Sequence, residues 1–308
     1  MAVLFHSPDE DGQAWRRALE RRLPGIDVRI WPEAGEPAEI EAALVWRVPS
    51  GILRRFPRLA LIQSLGAGVD GLLADPDLPQ VPLCRLVDGS MARSMSEFVL
   101  AQVLKYHRRL DRFAAEQRAG RWSFALPEAP RATRVGIMGL GELGRHAAGV
   151  LVAQGFTVRG WSRSPRELPG GTAFAGADGL EAFLAGTDVL VCLLPLTSAT
   201  RGILDARLLA GLPPGARLVN VGRGAHLVEA DLLAALDGGR LAHASLDCFA
   251  EEPLPPGHPF WSHPRVDVTP HVAAFADAES AADEVAENLR RLRDGRPLRH
   301  LVDRAQGY

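Results

Sequence analysis

The chain has 308 residues, of which 47% are hydrophobic and 23% charged, and its formal net charge is −2 at pH 7. This length predicts two domains, and the balanced charge argues against nucleic acid or an acidic membrane as a partner. The sequence has no run of about 18 apolar residues and no basic segment before an apolar run, so we expect neither a membrane span nor a signal peptide. The three cysteines are isolated, which is typical of a reducing compartment, and we expect a cytoplasmic protein.

Short apolar runs and amphipathic stretches alternate over roughly the first 90 residues. The stretch Gln13–Arg22 has helical spacing, with its apolar residues on one face. Alternation of this kind is typical of a parallel α/β sheet. A stretch without Pro or Gly then predicts one helix over Met95–Arg118. The apolar runs predict strands at Ala2–His6, Ala42–Trp46, Leu59–Gln63 and Leu83–Leu86.

A second alternation begins at Arg134 and has the strand count of a complete dinucleotide-binding sheet. The spacing of apolar residues predicts helices over Leu227–Leu236 and Ala276–Arg293, and the second of these is followed by a short tail. The predicted strands are Val135–Met138, Thr157–Trp161, Val189–Leu193, Leu218–Val221, Ala244–Leu246 and Val266–Thr269.

The segment that starts at Arg134 reads RVGIMGLGELG, so a predicted strand leads directly into a G-x-G-x-x-G turn. Gly139 permits a tight turn, Gly141 lets the backbone approach a pyrophosphate, and Gly144 lets the next helix pack on its strand. The N–H groups at the start of that helix favour an anion. The alternative is a glycine-rich turn in an unrelated α/β domain. We expect the pyrophosphate of a dinucleotide to bind at Gly139, Gly141, Glu142, Leu143 and Gly144.

The end of the second strand of this alternation reads Gly160-Trp161-Ser162-Arg163-Ser164 and indicates which dinucleotide is bound. An NAD-selective site carries an acid here that accepts a hydrogen bond from the ribose 2′-hydroxyl. No acid stands at this position, and a cation between two hydroxyls suits a 2′-phosphate instead. We therefore predict that Ser162, Arg163 and Ser164 bind NADP, with NAD as the alternative cofactor. A solvated loop with an incidental Arg is the other interpretation.

Three further motifs each follow a predicted strand, where ligands of open α/β sheets bind. They are Asn220-Val221-Gly222-Arg223-Gly224, Asp247-Cys248-Phe249-Ala250-Glu251-Glu252-Pro253 and Thr269-Pro270-His271-Val272-Ala273. With Leu194-Pro195-Leu196-Thr197 and Thr200, they resemble the signatures of the D-isomer-specific 2-hydroxyacid dehydrogenases, in that family's order. The resemblance covers essentially the whole chain and is strongest to the branch that reduces glyoxylate and hydroxypyruvate. It extends through Leu44-Val45-Trp46, residues 64–70, Trp161-Ser162-Arg163 and the tail 302–308.

The resemblance implies that Arg223, Glu252 and His271 carry the catalysis. Reduction of a 2-oxo acid places a hydride on the carbonyl carbon and a proton on its oxygen. An imidazolium suits the proton transfer, since its ordinary pKa lies near neutrality. Glu252 can accept a hydrogen bond from the other ring nitrogen, and Arg223 offers a rigid fork of donors to the substrate.

The resemblance also implies a set of cofactor and substrate contacts. Trp46 and the backbone N–H groups around Ala67 and Gly68 are expected to bind the substrate together with Arg223 and His271. A core aromatic and an ordinary strand-to-helix turn are the alternative interpretations of Trp46 and of that loop. The further expected cofactor contacts are Leu194, Pro195, Thr200, Val221, Gly222 and Asp247.

We predict an α/β fold with two Rossmann-like domains and the active site in the cleft between them. Residues 1–96 and 281–308 would form a flavodoxin-like substrate domain, and residues 97–280 an NAD(P)-binding doubly wound parallel sheet. A homodimer is expected, with the predicted helix 95–118 as a contact and Trp122 as a residue that reaches the partner's site. His258 and His263 have no carboxylate or Cys at ligand spacing, so we expect no metal.

The predicted function is NADPH-dependent reduction of small 2-oxo acids, glyoxylate and hydroxypyruvate by resemblance, to 2-hydroxy acids. Two alternatives remain open. One is a dehydrogenase for a bulkier 2-oxo acid. The other is a dinucleotide-sensing binding protein without catalysis, against which the complete set of Arg223, Glu252 and His271 argues.

Overall fold

The computed structural model describes residues 1–126 and 129–308 of the chain. In the described residues, helices and strands alternate along both parts of the sequence. The helices are α1 (Gly12–Arg22), α2 (Asp70–Leu73), α3 (Gly89–His107), α4 (Leu110–Arg118), α5 (Glu142–Ala153), α6 (Gly176–Ala185), α7 (Ala206–Gly211), α8 (Glu229–Asp237) and α9 (Ala278–Arg293). The strands are β1 (Ala2–His6), β2 (Asp27–Ile30), β3 (Ile40–Val45), β4 (Leu61–Ser64), β5 (Leu83–Cys84), β6 (Arg134–Met138), β7 (Thr157–Ser162), β8 (Thr172–Ala175), β9 (Val189–Cys192), β10 (Ala216–Asn220), β11 (Leu241–Leu246) and β12 (Val266–Val268).

The chain divides into two compact units. Unit 1 comprises residues Met1–Met91 and Phe275–Tyr308, and unit 2 comprises Ala92–Ala274. The predicted boundaries at 96/97 and 280/281 fall inside α3 and α9. The assignment of substrate binding to the first part and of dinucleotide binding to the second stays a prediction.

The sheet of unit 1 is parallel, in the strand order β2-β1-β3-β4-β5. This is the order of the flavodoxin-like fold, and it places the topological switch point between β1 and β3. Buried apolar side chains of β1, β3 and β4 fill the core, among them Leu4, Ala43 and Ile62. The helix α1 ends beside α9, where the Arg22 guanidinium contacts Asp283 at 2.5 Å.

The edge strand β5 is covered by a segment that follows α9. Leu301 forms an antiparallel bridge with Cys84, and the N–H of Val302 donates to the carbonyl of Leu83 at 2.8 Å. The fully buried side chain of Asn288 ties this segment to the sheet. Its Nδ2 donates to Gln63 Oε1 at 2.9 Å, and its Oδ1 accepts from the N–H of Arg299 at 2.8 Å.

The strands described in unit 2 are all parallel, in the order β12-β11-β10-β9-β6-β7-β8. Successive side chains of β9 point to opposite faces, so Val189 and Val191 pack with α3 and α5 while Leu190 and Cys192 pack with α6, α7 and α8. A parallel sheet that is covered on both faces explains the continuous apolar strands. The predicted fold class, α/β with two Rossmann-like parallel sheets, is confirmed.

The predicted single helix over Met95–Arg118 is wrong. The chain forms α3 and α4, separated at Arg108 and Arg109, and Arg109 has a φ of 57°. A left-handed residue cannot continue a right-handed helix, and Arg gives no sequence signal for it. The sequence interpretation also missed β2 and β8, which lie at sheet edges and contain polar or small residues.

The buried amide of Asn288 generates a stability prediction. Asn288→Ala should lower the free energy of unfolding by about 2–3 kcal/mol, because it leaves the N–H of Arg299 and the carboxamide oxygen of Gln63 without their partner. Urea denaturation would measure the change. Glu20→Ala, on the exposed face of α1, is the matched control and should change stability by less than about 0.5 kcal/mol. Equal effects of the two substitutions would contradict the importance of this contact.

Candidate active site

The turn between β6 and α5 is packed so closely that it requires glycine. Gly139 has a φ of 108°, and a Cβ on Gly144 would lie 1.9 Å from the carbonyl oxygen of Gly139. The N-cap residue of α5, Gly141, has no side chain to cap the first-turn N–H groups, and a Cβ there would meet nothing within 4 Å. These N–H groups and the open space beside Gly141 fit a pyrophosphate. Glu142, the first residue of α5, pairs with Arg145 at 2.5 Å.

The end of β7 lies beside this turn, because the N–H of Gly139 donates to the carbonyl of Trp161 at 2.8 Å. Ser162 is mostly buried, and its hydroxyl donates to the carbonyl of Ser164 at 2.8 Å. Arg163 and Ser164 are exposed. The side chains that can donate to a 2′-phosphate in this arrangement are therefore those of Arg163 and Ser164 rather than that of Ser162.

The loop after β9 is held by a threonine hydroxyl. Thr200 Oγ1 donates to the carbonyl of Pro195 at 2.7 Å and accepts from the N–H of Thr197 at 2.8 Å. Leu194 is buried, whereas Pro195 is exposed. The predicted contacts Leu194, Pro195 and Thr200 thus lie on one loop, in which Thr200 is bonded to Pro195.

The loop after β10 holds Arg223 by its backbone. The N–H of Arg223 donates to His226 Nδ1 at 3.1 Å, and its carbonyl accepts from Asn220 Nδ2 at 3.0 Å. The guanidinium is partly buried and donates to the carbonyl of Gly222 at 2.8 Å. A Cβ on Gly224 would lie 1.8 Å from the carbonyl carbon of Phe249, so this loop packs directly on the loop after β11.

His271 and Glu252 form a hydrogen-bonded pair. Nδ1 of His271 lies 2.8 Å from Oε2 and 3.0 Å from Oε1 of Glu252, and Oε1 also accepts from the N–H of Phe249 at 3.0 Å. A carboxylate only accepts, so Nδ1 carries the hydrogen. The two side chains are 22% and 23% exposed, which keeps them within reach of a substrate.

The backbone at His271 lies in the left-handed region, with a φ of 57°. The Asp247 carboxylate holds the segment on both sides of it. Asp247 Oδ1 accepts from the Thr269 hydroxyl at 2.6 Å and from the N–H of Val272 at 2.9 Å, and Oδ2 accepts from the N–H of Ala273 at 2.9 Å. These contacts stabilise a backbone conformation that a histidine seldom adopts alone. The predicted contact of Asp247 with the cofactor remains a prediction.

The predicted substrate residue Trp46 packs within unit 1 against the turn that leads to Ala67 and Gly68. The ring of Trp46 lies against Gly66, where an added Cβ would be 2.3 Å from the ring carbon Cζ3. The hydroxyl of Ser64 donates to the carbonyl of Gly66 at 3.1 Å and shapes the turn that leads to Ala67 and Gly68. Ala67 and Gly68 are half-buried. The indole and this turn lie where β3 and β4 end.

The other candidate ligands have structural partners. His258 Nε2 lies 3.1 Å from Glu229 Oε2, and His263 Nε2 lies 3.2 Å from Asp237 Oδ1. Among the described residues, no group of three or more His, Cys, Asp or Glu is arranged to hold a metal ion. Burial raises the pKa of the Cys192 and Cys248 thiols, so both remain protonated and unreactive near neutral pH.

The structure also shows a residue that the sequence interpretation missed. His226 is fully buried and contacts both the Arg223 loop and the Pro195 loop. It stands in the sequence Gly-Ala-His-Leu-Val, where a histidine gives no signal that distinguishes it from a surface residue. In the part of the chain that the structure describes, no helix is both long and apolar enough to cross a lipid bilayer.

Comparisons with known proteins agree on one family. Residues 100–273 match the family model for the NAD-binding domain of D-isomer-specific 2-hydroxyacid dehydrogenases. A glyoxylate/hydroxypyruvate reductase A of Serratia proteamaculans is 45% identical over 314 residues, with 100% of each chain covered.

Solved structures resemble the chain over its full length. A D-isomer-specific 2-hydroxyacid dehydrogenase of Xanthobacter autotrophicus, crystallised with NADPH and MES, is 46% identical with a TM-score of 0.96, covering 100% of this chain and 99% of that chain. An NADPH-dependent glyoxylate/hydroxypyruvate reductase of Sinorhizobium meliloti, crystallised with NADP and sulfate, is 41% identical with a TM-score of 0.93 and the same coverage.

The hydrogen bonds of Asp247 generate a second stability prediction. Asp247→Asn should lower the free energy of unfolding by about 2–4 kcal/mol, because an amide group replaces a carboxylate oxygen that accepts from backbone N–H. Thr269→Val removes one of the three hydrogen bonds and should cost about 1 kcal/mol. Chemical denaturation of both variants would measure the two losses in the free energy of unfolding. A cost for Asp247→Asn no larger than that for Thr269→Val would show that the backbone contacts do not stabilise the loop.

Proposed function

The chain belongs to the D-isomer-specific 2-hydroxyacid dehydrogenase family, and on that premise we propose that it reduces glyoxylate and hydroxypyruvate to 2-hydroxy acids with NADPH. The observation that carries the proposal is the pairing of His271 with Glu252 at the sheet edge that also bears Arg223 and the glycine turn. The test is oxidation of NADPH by the purified protein in the presence of glyoxylate. No oxidation above the rate without protein would refute the proposal.

The residues of unit 2 divide the chemistry between them. Bound NADPH supplies the hydride for the carbonyl carbon of the 2-oxo acid. His271 delivers the proton from Nε2 to the carbonyl oxygen, while Glu252 fixes the orientation of the ring and compensates its positive charge. The products are a 2-hydroxy acid and NADP⁺, and His271 regains its proton from solvent.

Arg223 binds the anionic part of the substrate. Its planar guanidinium can donate two parallel hydrogen bonds to a carboxylate and place another N–H near the carbonyl oxygen. The same donors stabilise the negative charge that develops on that oxygen during hydride addition. The two hydrogen bonds to its backbone restrict the position from which the guanidinium extends.

The proposed substrate size rests on Trp46. Its ring covers Gly66 and thereby narrows the space beside the Gly66–Gly68 turn. The backbone N–H groups of Ala67 and Gly68 would bind the substrate carboxylate at that turn. A small 2-oxo acid fits this arrangement better than a bulky one, and kcat/KM across a series of 2-oxo acids would decide between them.

The assembly proposed is a homodimer. Within residues 121–126, Trp122, Phe124 and Leu126 are 101%, 83% and 71% exposed. Three large apolar side chains exposed next to one another indicate a protein contact. We propose that a second copy of the chain covers them and that Trp122 extends towards its substrate site.

The cytoplasm remains the proposed location, supported by three buried free cysteines.

The role of His271 as proton donor gives the first kinetic prediction. His271→Ala should lower kcat for glyoxylate reduction by roughly 10²–10⁴, the usual contribution of general acid catalysis. The dissociation constant of NADPH should change little. His263→Ala, whose ring contacts the exposed Asp237 and accepts from the N–H of Arg265, is the matched control and should keep wild-type kinetics. A decrease of less than threefold in the His271 variant would remove this residue from the mechanism.

The end of β7 gives the second kinetic prediction. One or two charge-assisted hydrogen bonds, each of roughly 1.5–3 kcal/mol, predict a preference for NADPH over NADH of about 10- to 10³-fold in kcat/KM. Arg163→Ala should raise KM for NADPH and remove most of that preference, with activity towards NADH nearly unchanged.

Titration of both cofactors at fixed glyoxylate measures these effects. Arg207→Ala, on the exposed side of α7, is the control for loss of a cation. It should leave the ratio of kcat/KM for NADPH to kcat/KM for NADH unchanged. Equal use of NADH and NADPH by the wild type, or an unchanged ratio in Arg163→Ala, would contradict this interpretation of the loop.

A further inference from the structure

A fully buried histidine connects the two loops that carry the proposed substrate and cofactor contacts. His226 ends the short 3-10 turn Gly224–His226 that follows Arg223. Its ring is sandwiched between the loop after β10 and the loop after β9. None of the steps of the proposed reaction uses this residue.

The hydrogen bonds of His226 define its protonation. Nε2 lies 3.2 Å from the carbonyl oxygen of Pro195, and a carbonyl only accepts, so Nε2 carries the hydrogen. Nδ1 then has a free electron pair, and it accepts from the N–H of Arg223 at 3.1 Å. A neutral ring satisfies both contacts, whereas an imidazolium would turn a second N–H towards the N–H of Arg223.

The groups around the ring are consistent with this neutral form. The thiol of Cys192 lies 3.8 Å from Nδ1, and burial raises its pKa, so it faces the ring uncharged. A Cβ on Gly222 would lie 3.0 Å from both Cε1 and Nδ1 of the ring, which shows how closely the ring fits the loop. The Pro195 carbonyl that His226 binds also accepts from the Thr200 hydroxyl at 2.7 Å.

The contacts of His226 complete the fixation of Arg223. Without Nδ1, the N–H of Arg223 would lose its acceptor in a buried loop. The carbonyl of the same residue accepts from Asn220 Nδ2 at 3.0 Å and from the N–H of His226 at 3.2 Å. Both backbone polar groups of Arg223 are thus held by neighbours, and its guanidinium donates to the carbonyl of Gly222 at 2.8 Å.

We infer that His226 is a positioning residue, whose Nδ1 holds the backbone N–H of Arg223 so that the guanidinium meets the 2-oxo acid. The inference rests on the proposed function. An apolar side chain of the same size would fill the space, but it would release the N–H of Arg223. Misplacement of a reacting group by about 1 Å can cost about 10²-fold in rate.

Two polar substitutions separate the contacts of the ring. In His226→Asn, the carboxamide oxygen replaces Nδ1 and can accept from Arg223, while the side chain is too short to reach Pro195. In His226→Gln, the longer amide can reach Pro195 but presents no acceptor to the N–H of Arg223. We expect His226→Asn to retain kcat/KM for glyoxylate within about threefold of wild type and His226→Gln to lose about 10- to 100-fold.

Binding measurements distinguish positioning from general damage. Oxalate, a dicarboxylate that cannot be reduced, probes the Arg223 fork directly. Its inhibition constant should rise about 10-fold or more in His226→Gln and in His226→Phe, while the dissociation constant of NADPH changes less than threefold. His243→Phe, which alters the other buried histidine of unit 2 in the described residues, should lower the unfolding temperature without changing oxalate binding.

The outcomes distinguish failure of the proposed function from failure of the inference about His226. If the wild type neither reduces glyoxylate nor binds oxalate, the proposed function is wrong. If the wild type is active, either of two results overturns the inference. One is an oxalate inhibition constant in His226→Gln equal to that of the wild type. The other is an equal loss of kcat/KM in His226→Asn and His226→Gln. Should His226→Phe fail to fold, the comparison of Asn with Gln still decides.

Discussion

Parallel pairing brings the carboxyl ends of β6, β7, β9, β10, β11 and β12 to one edge of the sheet of unit 2. Every residue proposed to act there, from the glycine turn to His271, follows one of those ends. Antiparallel pairing would send alternate loops to the opposite edge and separate Arg223 from Glu252. The register of the strands thus determines which loops can meet, and the loops then determine the chemistry.

The loops are linked to one another as well as to the sheet. Glu252 accepts from the backbone of its own loop and from His271 of the next, and Asp247 holds the segment on both sides of that histidine. Gly224 lies so close to the backbone of Phe249 that no space is left for a Cβ at this position. The proposed active groups are therefore held by polar contacts between neighbouring strand ends, which limits how far any one of them can move alone.

Much of this arrangement was predictable from local pattern. Apolar runs with intervening helical stretches predicted parallel α/β sheets, and the strand before G-x-G-x-x-G predicted the turn beside β6. The break at Arg109 was not predictable, because only its φ of 57° reveals it. The sequence pattern did not predict the edge strands β2 and β8, because a strand with one neighbour needs fewer apolar residues. The contacts of His226 with Pro195 and of Asp247 with Val272 join residues 31 and 25 positions apart in sequence, which periodicity does not detect.

The short strand β5 has a wider consequence for the behaviour of the protein in solution. Leu301 and Val302 pair with it and occupy backbone groups that would otherwise lie open at the edge of the sheet. An uncovered edge recruits strands from other molecules, and proteins commonly avoid this by covering it. A truncation that removes the segment from Arg299 onward, or a fusion that pulls it away, would therefore be expected to promote aggregation before it altered the chemistry of unit 2.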